Sequence, residues 1–244
     1  MELKRPTAAL ASTLLCMLSA CAAELQAPIP TAAYPGDAPA RTLVIMLPGA
    51  GDRIGVFDEQ GFVAAMRDSG MQVDILEVDA HMGYYKTRTL LDRMEQDVLA
   101  PNRDKYEEIW LVGISLGGFG ALLTALTYPE DIDGMVLLAP YLGRRKTMAK
   151  ISKAGGLERW QPPATVDMEN AWDTELWRLL KGICEAEGAR PELFLMYGED
   201  DFGARGHDLL AEALPASRVR RIPGGHAWTT WTALWGEFVA QRAI

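Results

Sequence analysis

The sequence predicts an α/β fold in which a mostly parallel sheet carries helices on both faces. Two observations predict it. From Arg41 onward, short apolar runs of strand length alternate with longer helical patterns. One of these runs, Ile109-Trp110-Leu111-Val112, leads into Gly113-Ile114-Ser115-Leu116-Gly117, a strand-to-helix turn with a serine at its apex. In sheets of this kind, chemistry collects at the carboxyl ends of the strands.

The elements follow in order. Leu43 to Leu47 is an unbroken apolar run and reads as the first strand. Val56 to Ser69 has an amphipathic helical pattern, and Val73 to Val78 is the second strand. Thr89 to Leu99 reads as a helix stopped by Pro101. Glu108 to Ile114 is the third strand, and the small residues after Ser115 start a closely packed helix that runs to Tyr128. Met135 to Ala139, Leu193 to Tyr197 and Arg218 to Ile222 supply three more strands. Trp228 to Ala240 closes the chain as a helix, with Trp228, Trp231 and Trp235 spaced to share one core face. The interval 141–190 is too long for one crossover. It is expected to hold two helices and to form a cap over the site.

Composition narrows the function. The chain has 244 residues, 49% hydrophobic and 23% charged, which suits one substantial globular domain. Its formal net charge of −9 argues against a nucleic-acid partner, since a phosphate backbone wants a basic surface. No spacing of His and Cys suggests a zinc site, so no metal is expected. Gly49-Ala50-Gly51 after the first strand looks like a dinucleotide turn, but the third glycine is misplaced, with Ile54 where it should stand and Gly55 one position late. No cofactor is expected.

The first residues read as a targeting segment. Lys4 and Arg5 form a positive start, and Ala8 to Leu18 is apolar but short for a membrane span. The segment ends Leu18-Ser19-Ala20-Cys21, which resembles the lipobox of bacterial lipoproteins. The resemblance implies a signal peptide over 1–20, cleavage before Cys21 and lipidation of Cys21. Ala22 after the cysteine, rather than Asp, implies the outer membrane. Residues 21–40, rich in proline and alanine, read as a tether, with the folded domain over 41–244. Cys16 falls in the removed segment, which leaves Cys184 without an intramolecular partner; its apolar neighbours suggest a buried small hydrophobe.

The chemistry centres on Ser115. Glycines two residues before and after it let strand and helix cross closely, and the tight turn thrusts the hydroxyl outward. Of three histidines, His226 follows the last strand in a glycine loop, Pro223-Gly224-Gly225-His226, that can aim an imidazole across the sheet edge. His207, near a helix start, reads as solvated surface. His81 follows the second strand, the wrong loop for a base. The acid should come from Gly198-Glu199-Asp200-Asp201 after the fifth strand, where Asp201, third after the glycine, projects toward the histidine, with Asp200 as the alternative.

The order Ser115, Asp201, His226 resembles that of the α/β-hydrolase superfamily, and the resemblance extends from about residue 41 to the end. It implies a short version of that fold, lacking the first antiparallel hairpin. It also implies an oxyanion hole, with one donor at the Leu116 N–H and another, by position, at the Ala50 N–H. His-Gly is common at the latter loop, where this chain has Pro48-Gly49. His81 and Tyr141 are candidate substrate contacts, as are Tyr84 and Tyr85. The cap carries Arg144, Arg145, Lys146, Lys150 and Lys153, which would meet an anionic substrate, lipid headgroups or only solvent. Trp160, Trp172 and Trp177 would line an acyl pocket or pack the cap. The expectation is a lipid-anchored serine hydrolase of the cell envelope, acting on small-molecule or lipid carboxylic esters. A non-catalytic binding lipoprotein, an acyltransferase, a thioesterase and a peptidase remain open as readings of the same residues.

Overall fold

The structure, a computed structural model, describes residues 25–186 and 190–241. The expected signal peptide and the lipidation site at Cys21 lie outside the described residues. Seven strands form one sheet: β1 (Thr31–Tyr34), β2 (Thr42–Leu47), β3 (Val73–Val78), β4 (Glu108–Ile114), β5 (Gly134–Leu138), β6 (Glu192–Gly198) and β7 (Val219–Ile222). Their order is β1-β3-β2-β4-β5-β6-β7, parallel throughout except for β1, which runs antiparallel to β3. The chain therefore grows one way from β2 and then reverses, so the switch point lies between β2 and β4. A crevice at the carboxyl ends of the strands belongs there.

The six expected strands are present, and their apolar character has a direct cause. Every residue of β2 and β5 is buried, as a parallel strand covered on both faces requires. Helices α1 (Val56–Glu59), α2 (Phe62–Asp68), α3 (Met82–Thr87) and α4 (Leu90–Arg93) precede β4, and α4 continues into a π-helical segment (Met94–Leu99). Then come α5 (Leu116–Thr127), α6 (Arg145–Lys153), α7 (Trp172–Glu185), α8 (Ala204–Ala211) and α9 (Trp228–Gln241).

The structure corrects several expectations. The single helix expected over 56–69 is two, because Gly61 takes a φ of 80° between them. β5 stops at Leu138 because Ala139 turns left-handed at φ 46°. The expected tether is partly folded. Ile29 is buried, and β1 pairs with β3 from Thr31 opposite Val78 to Tyr34 opposite Ile75. The Tyr84 hydroxyl donates to the Gln26 carbonyl at 3.0 Å and accepts the Gln26 N–H at 3.1 Å. The sheet thus has one antiparallel strand ahead of β2, where none was expected. Short alternation in a proline-rich run hides such a strand.

The interval after β5 holds two helices, as expected. Asp173, fully buried on α7, accepts from the Arg144 backbone N–H and the Thr147 hydroxyl and pairs with the Arg144 guanidinium. Trp177 Nε1 donates to the Leu142 carbonyl at 2.9 Å. Trp160 and Trp177 are core residues, so of the three cap tryptophans only Trp172 reaches toward the site, where it packs on Phe119 and Tyr141. Among the described residues, no helix is long and apolar enough to cross a membrane.

Candidate active site

Ser115 sits between β4 and α5 at φ 52° and ψ −110°, a backbone conformation that L-residues rarely adopt. Backbone bonds hold it there. Its N–H donates to the Leu138 carbonyl at 3.0 Å, and its carbonyl accepts from Tyr141 N–H at 2.9 Å. The flanking glycines are a steric necessity. A Cβ on Gly113 would meet the Gly117 carbonyl and Gly118 Cα, and a Cβ on Gly117 would drive into the Leu47 carbonyl. The strand and helix can cross at this distance only without side chains there.

The loop after β7 carries His226 back to this turn. His226 Nε2 lies 2.9 Å from Ser115 Oγ, and His226 Nδ1 lies 2.7 Å from Asp201 Oδ2. The glycines of that loop permit close approach: Gly198 Cα lies so near the Gly224 carbonyl that a Cβ would clash. The ring packs against Phe202, tilted at 4.4 Å, and against Trp231, perpendicular at 4.9 Å between centroids. Asp201 is the acid in contact; Asp200 is exposed, and its N–H is spent on the Gly224 carbonyl. The Asp201 side chain is fully buried. Burial pushes its carboxyl up, but bonds from His226 and the Gly203 N–H outweigh that and hold it below the ordinary carboxylate range. An ionised Asp201 accepting at Nδ1 fixes the tautomer that leaves Nε2 free to take a proton from Oγ.

The loop after β2 runs alongside. A Cβ on Gly49 would stand 3.8 Å from Ser115 Cβ, so the segment carrying Ala50 lies within van der Waals reach of the nucleophile. Asp52 closes this loop through its N–H to the Gly49 carbonyl and accepts from Trp228 Nε1 at 3.3 Å.

A cavity of about 700 Å³ opens beside Ser115 and His226. The β5–α6 loop and the first turn of α6 form one part of the wall, with Tyr141, Arg144, Arg145 and Met148; the loop after β6 and the first turn of α8 form another, with Phe202, Arg205 and His207. Tyr141 is therefore where it was expected, and 41% exposed. His81 is not part of this lining. Its Nδ1 accepts the Gly83 N–H and caps α3, so its ring is committed to the helix. Tyr84 and Tyr85 are likewise structural: Tyr85 donates to the Leu116 carbonyl at 3.0 Å and packs on α5. His207 is not solvated surface. It is buried, its Nε2 lies 3.0 Å from the Pro140 carbonyl, and burial pulls its pKa down. Burial also raises the Cys184 thiol to about 11, which makes it a poor nucleophile. Sequence reasoning missed Phe202, Arg205 and Met148; only the adjacency of Phe202 and Arg205 to Asp201 signalled them. Among the described residues, no group of three His, Cys, Asp or Glu side chains is arranged to hold a metal ion.

The family model described as "Serine aminopeptidase, S33" matches residues 38–173, more than half of the chain. The chain belongs to that family. Its fold is of the α/β-hydrolase type. The match includes the Gly49 loop and the Ser115 elbow but ends before Asp201 and His226. An acetyl esterase of Caldicellulosiruptor saccharolyticus is 23% identical over 154 residues, which are 54% of this chain and 53% of the esterase. The chain thus spans about half the length of that curated relative. Est1E from Butyrivibrio proteoclasticus, solved with ferulic acid bound, is 16% identical with a TM-score of 0.54, over 87% of this chain and 93% of Est1E. A predicted CIB-like hydrolase from Thermoplasma acidophilum is 13% identical with a TM-score of 0.55, over 87% and 92%. At these identities the two structures establish the S33 chain's fold.

Proposed function

We propose that this S33-family protein hydrolyses carboxylic esters through Ser115, His226 and Asp201, at the bacterial cell envelope, anchored by a lipid on Cys21. The observation that carries the catalytic reading is the continuous bonding from Ser115 Oγ through the imidazole to a buried carboxylate, at 2.9 and 2.7 Å, on a strained elbow. His226 takes the Ser115 proton as Oγ attacks the ester carbonyl. The oxyanion is met by the N–H groups of Leu116 and Ala50. The protonated imidazole then gives its proton to the departing alcohol, leaving an acyl-enzyme. Water, deprotonated by His226, releases the acid and restores Ser115.

The family's name also raises a peptidase reading. An aminopeptidase must hold a free ammonium group, which calls for carboxylates near the nucleophile. Among the described residues that line the cavity the one carboxylate is Asp201, buried and bonded to His226; Asp52, on the loop beside Ser115, is outside that lining and accepts from Trp228, while three arginines line the wall. That charge pattern favours an ester over a free N-terminus.

Treating the full chain with a fluorescent fluorophosphonate tests the reading. Oγ displaces fluoride from phosphorus and retains the probe. Labelling should be strong in the wild type and absent in Ser115→Ala and His226→Ala. A folded wild type that resists labelling would defeat the catalytic reading in favour of a binding scaffold. The anchor rests on Leu18-Ser19-Ala20-Cys21. In a bacterial host, Cys21→Ser should move the protein out of the membrane fraction and abolish incorporation of radiolabelled palmitate; unchanged fractionation and labelling would refute the anchor.

A further inference from the structure

We infer that the cavity beside Ser115 selects esters carrying an anionic group, a carboxylate in the first instance, on the arm that enters it. The inference rests on the serine-esterase reading above and names its substrate class.

Four observations converge. The protein is acidic overall, at −9, yet the cavity wall carries Arg144, Arg145 and Arg205. Asp173 neutralises Arg144. Arg145 and Arg205 are exposed and make no ion pair among the described residues, so two positive charges face the cavity uncompensated. Among the described residues that line the cavity, the one carboxylate, Asp201, is fully buried and already engaged by His226 and the Gly203 N–H.

Both α6 and α8 present their first turns to the cavity, through Arg144, Arg145 and Met148 and through Arg205, Gly206 and His207. Each helix end already meets a buried carboxylate, Asp173 at the Arg144 N–H and Asp201 at the Gly203 N–H, so the free positive charge at the cavity is that of the guanidiniums. Two unpaired guanidiniums, one from each helix, line the same space. His207 lies on the α8 wall, nine-tenths or more buried. Its Nε2 donates to the Pro140 carbonyl and its Nδ1 has no partner within the described residues. That nitrogen is shut away from the surface, so His207 builds the α8 wall and does not itself meet the substrate.

The apolar rim completes the specificity. Phe202, 70% exposed, and Tyr141 stand at the cavity beside the nucleophile and suit the carbon chain between ester and charge. At about 700 Å³ the cavity has room for an arm of several carbons ending in a carboxylate. A neutral acyl chain would leave the two guanidiniums without a counter-charge.

Matched ester pairs test this on the full chain in detergent. One pair puts the charge on the acyl arm: monomethyl adipate against dimethyl adipate. The other puts it on the alcohol arm: 4-acetoxybenzoate against its methyl ester. The expected result is a kcat/KM at least tenfold higher for the charged member of one pair, which also identifies the arm in the cavity. The preference should shrink as salt rises from about 10 mM to 0.5 M. It should fall several-fold in Arg145→Ala and in Arg205→Ala, each judged by the charged-to-neutral ratio, and stay unchanged in the remote Lys105→Ala. Equal turnover of both members of both pairs, or a preference that survives loss of both arginines, overturns the inference while leaving the esterase reading intact. Failure to turn over any ester, together with failure of fluorophosphonate labelling, overturns both.

Discussion

Ser115 pays for its reach with backbone strain, at φ 52° and ψ −110°, and the strain is tolerable because neighbours over-determine it. His226 is positioned in the same manner, held by Phe202 and Trp231 as well as by Asp201. The choice between Asp200 and Asp201 decides a test. Asp201→Asn should lower kcat by about 10³- to 10⁴-fold, because an amide at Nδ1 no longer fixes the productive tautomer or stabilises an imidazolium. Asp200→Asn should stay within about twofold, since that side chain is exposed and outside the contact chain. Equal losses in the two variants would reject Asp201 as the acid. The same residue links folding to pH. Its carboxyl is held lower in the folded than in the unfolded chain, so the native state binds fewer protons there. Its contribution is present above the ordinary carboxylate range of about 4 and is lost as pH falls through the folded value. The melting-temperature gap between wild type and Asp201→Asn should therefore narrow below about pH 4; a gap constant from pH 7 to pH 3 would contradict this.

At the scale of elements, the β4–α5 crossing sets the tolerance of the site. Gly117→Ala gains a little helix propensity, about 1 kcal/mol, but thrusts a methyl into the Leu47 carbonyl on the neighbouring strand. Backbone cannot yield as a flexible side chain does, so the variant should lose about 2–4 kcal/mol in denaturant unfolding. A variant as stable as wild type would show that the crossing has slack. This element was readable because its cause is local: glycine spacing, an apolar strand before and small residues after. The same holds for Asp201 and His226, each in a turn at a strand's carboxyl end, with only three histidines to choose among. Other elements were hidden because their causes are not local. α3 and the division between α1 and α2 leave no gap in apolar periodicity. His207 became buried because α8 packs against α6, a tertiary fact that its own neighbours in sequence do not report. His81, equally plausible in sequence as a pocket residue, was claimed by helix capping.

For the whole molecule, the question of where the domain begins changes what holds it together. Composition placed the boundary at residue 41, because proline and alanine dominate the preceding stretch and supply no core pattern. The fold instead uses that stretch as a clasp along the edge of the sheet. β1 covers the outer edge of β3, which would otherwise present a row of unpaired backbone groups. Ile29 is buried, and its N–H donates to Asp97 Oδ2 at 2.9 Å. The Gly36 N–H reaches Asp74 at 2.8 Å, and Arg67 bonds the Tyr34 carbonyl at 2.7 Å. Glu77, buried on β3 with its carboxyl pushed up by burial, counts the Tyr34 hydroxyl among its partners. Removing the segment would expose Ile29's site, at about 2 kcal/mol, and strand several of these buried polar groups at about 1 kcal/mol or more each. A chain starting at Arg41 should therefore melt at least about 8 °C below one starting at Leu25, given about 2–4 °C per kcal/mol for a domain of this size. It should also aggregate more readily, through the freed edge of β3. Because β3 stands next to β2, whose loop approaches Ser115, fluorophosphonate labelling of the shorter chain should weaken along with its stability. Equal melting temperatures would return residues 25–40 to the role of a simple spacer ahead of the folded domain.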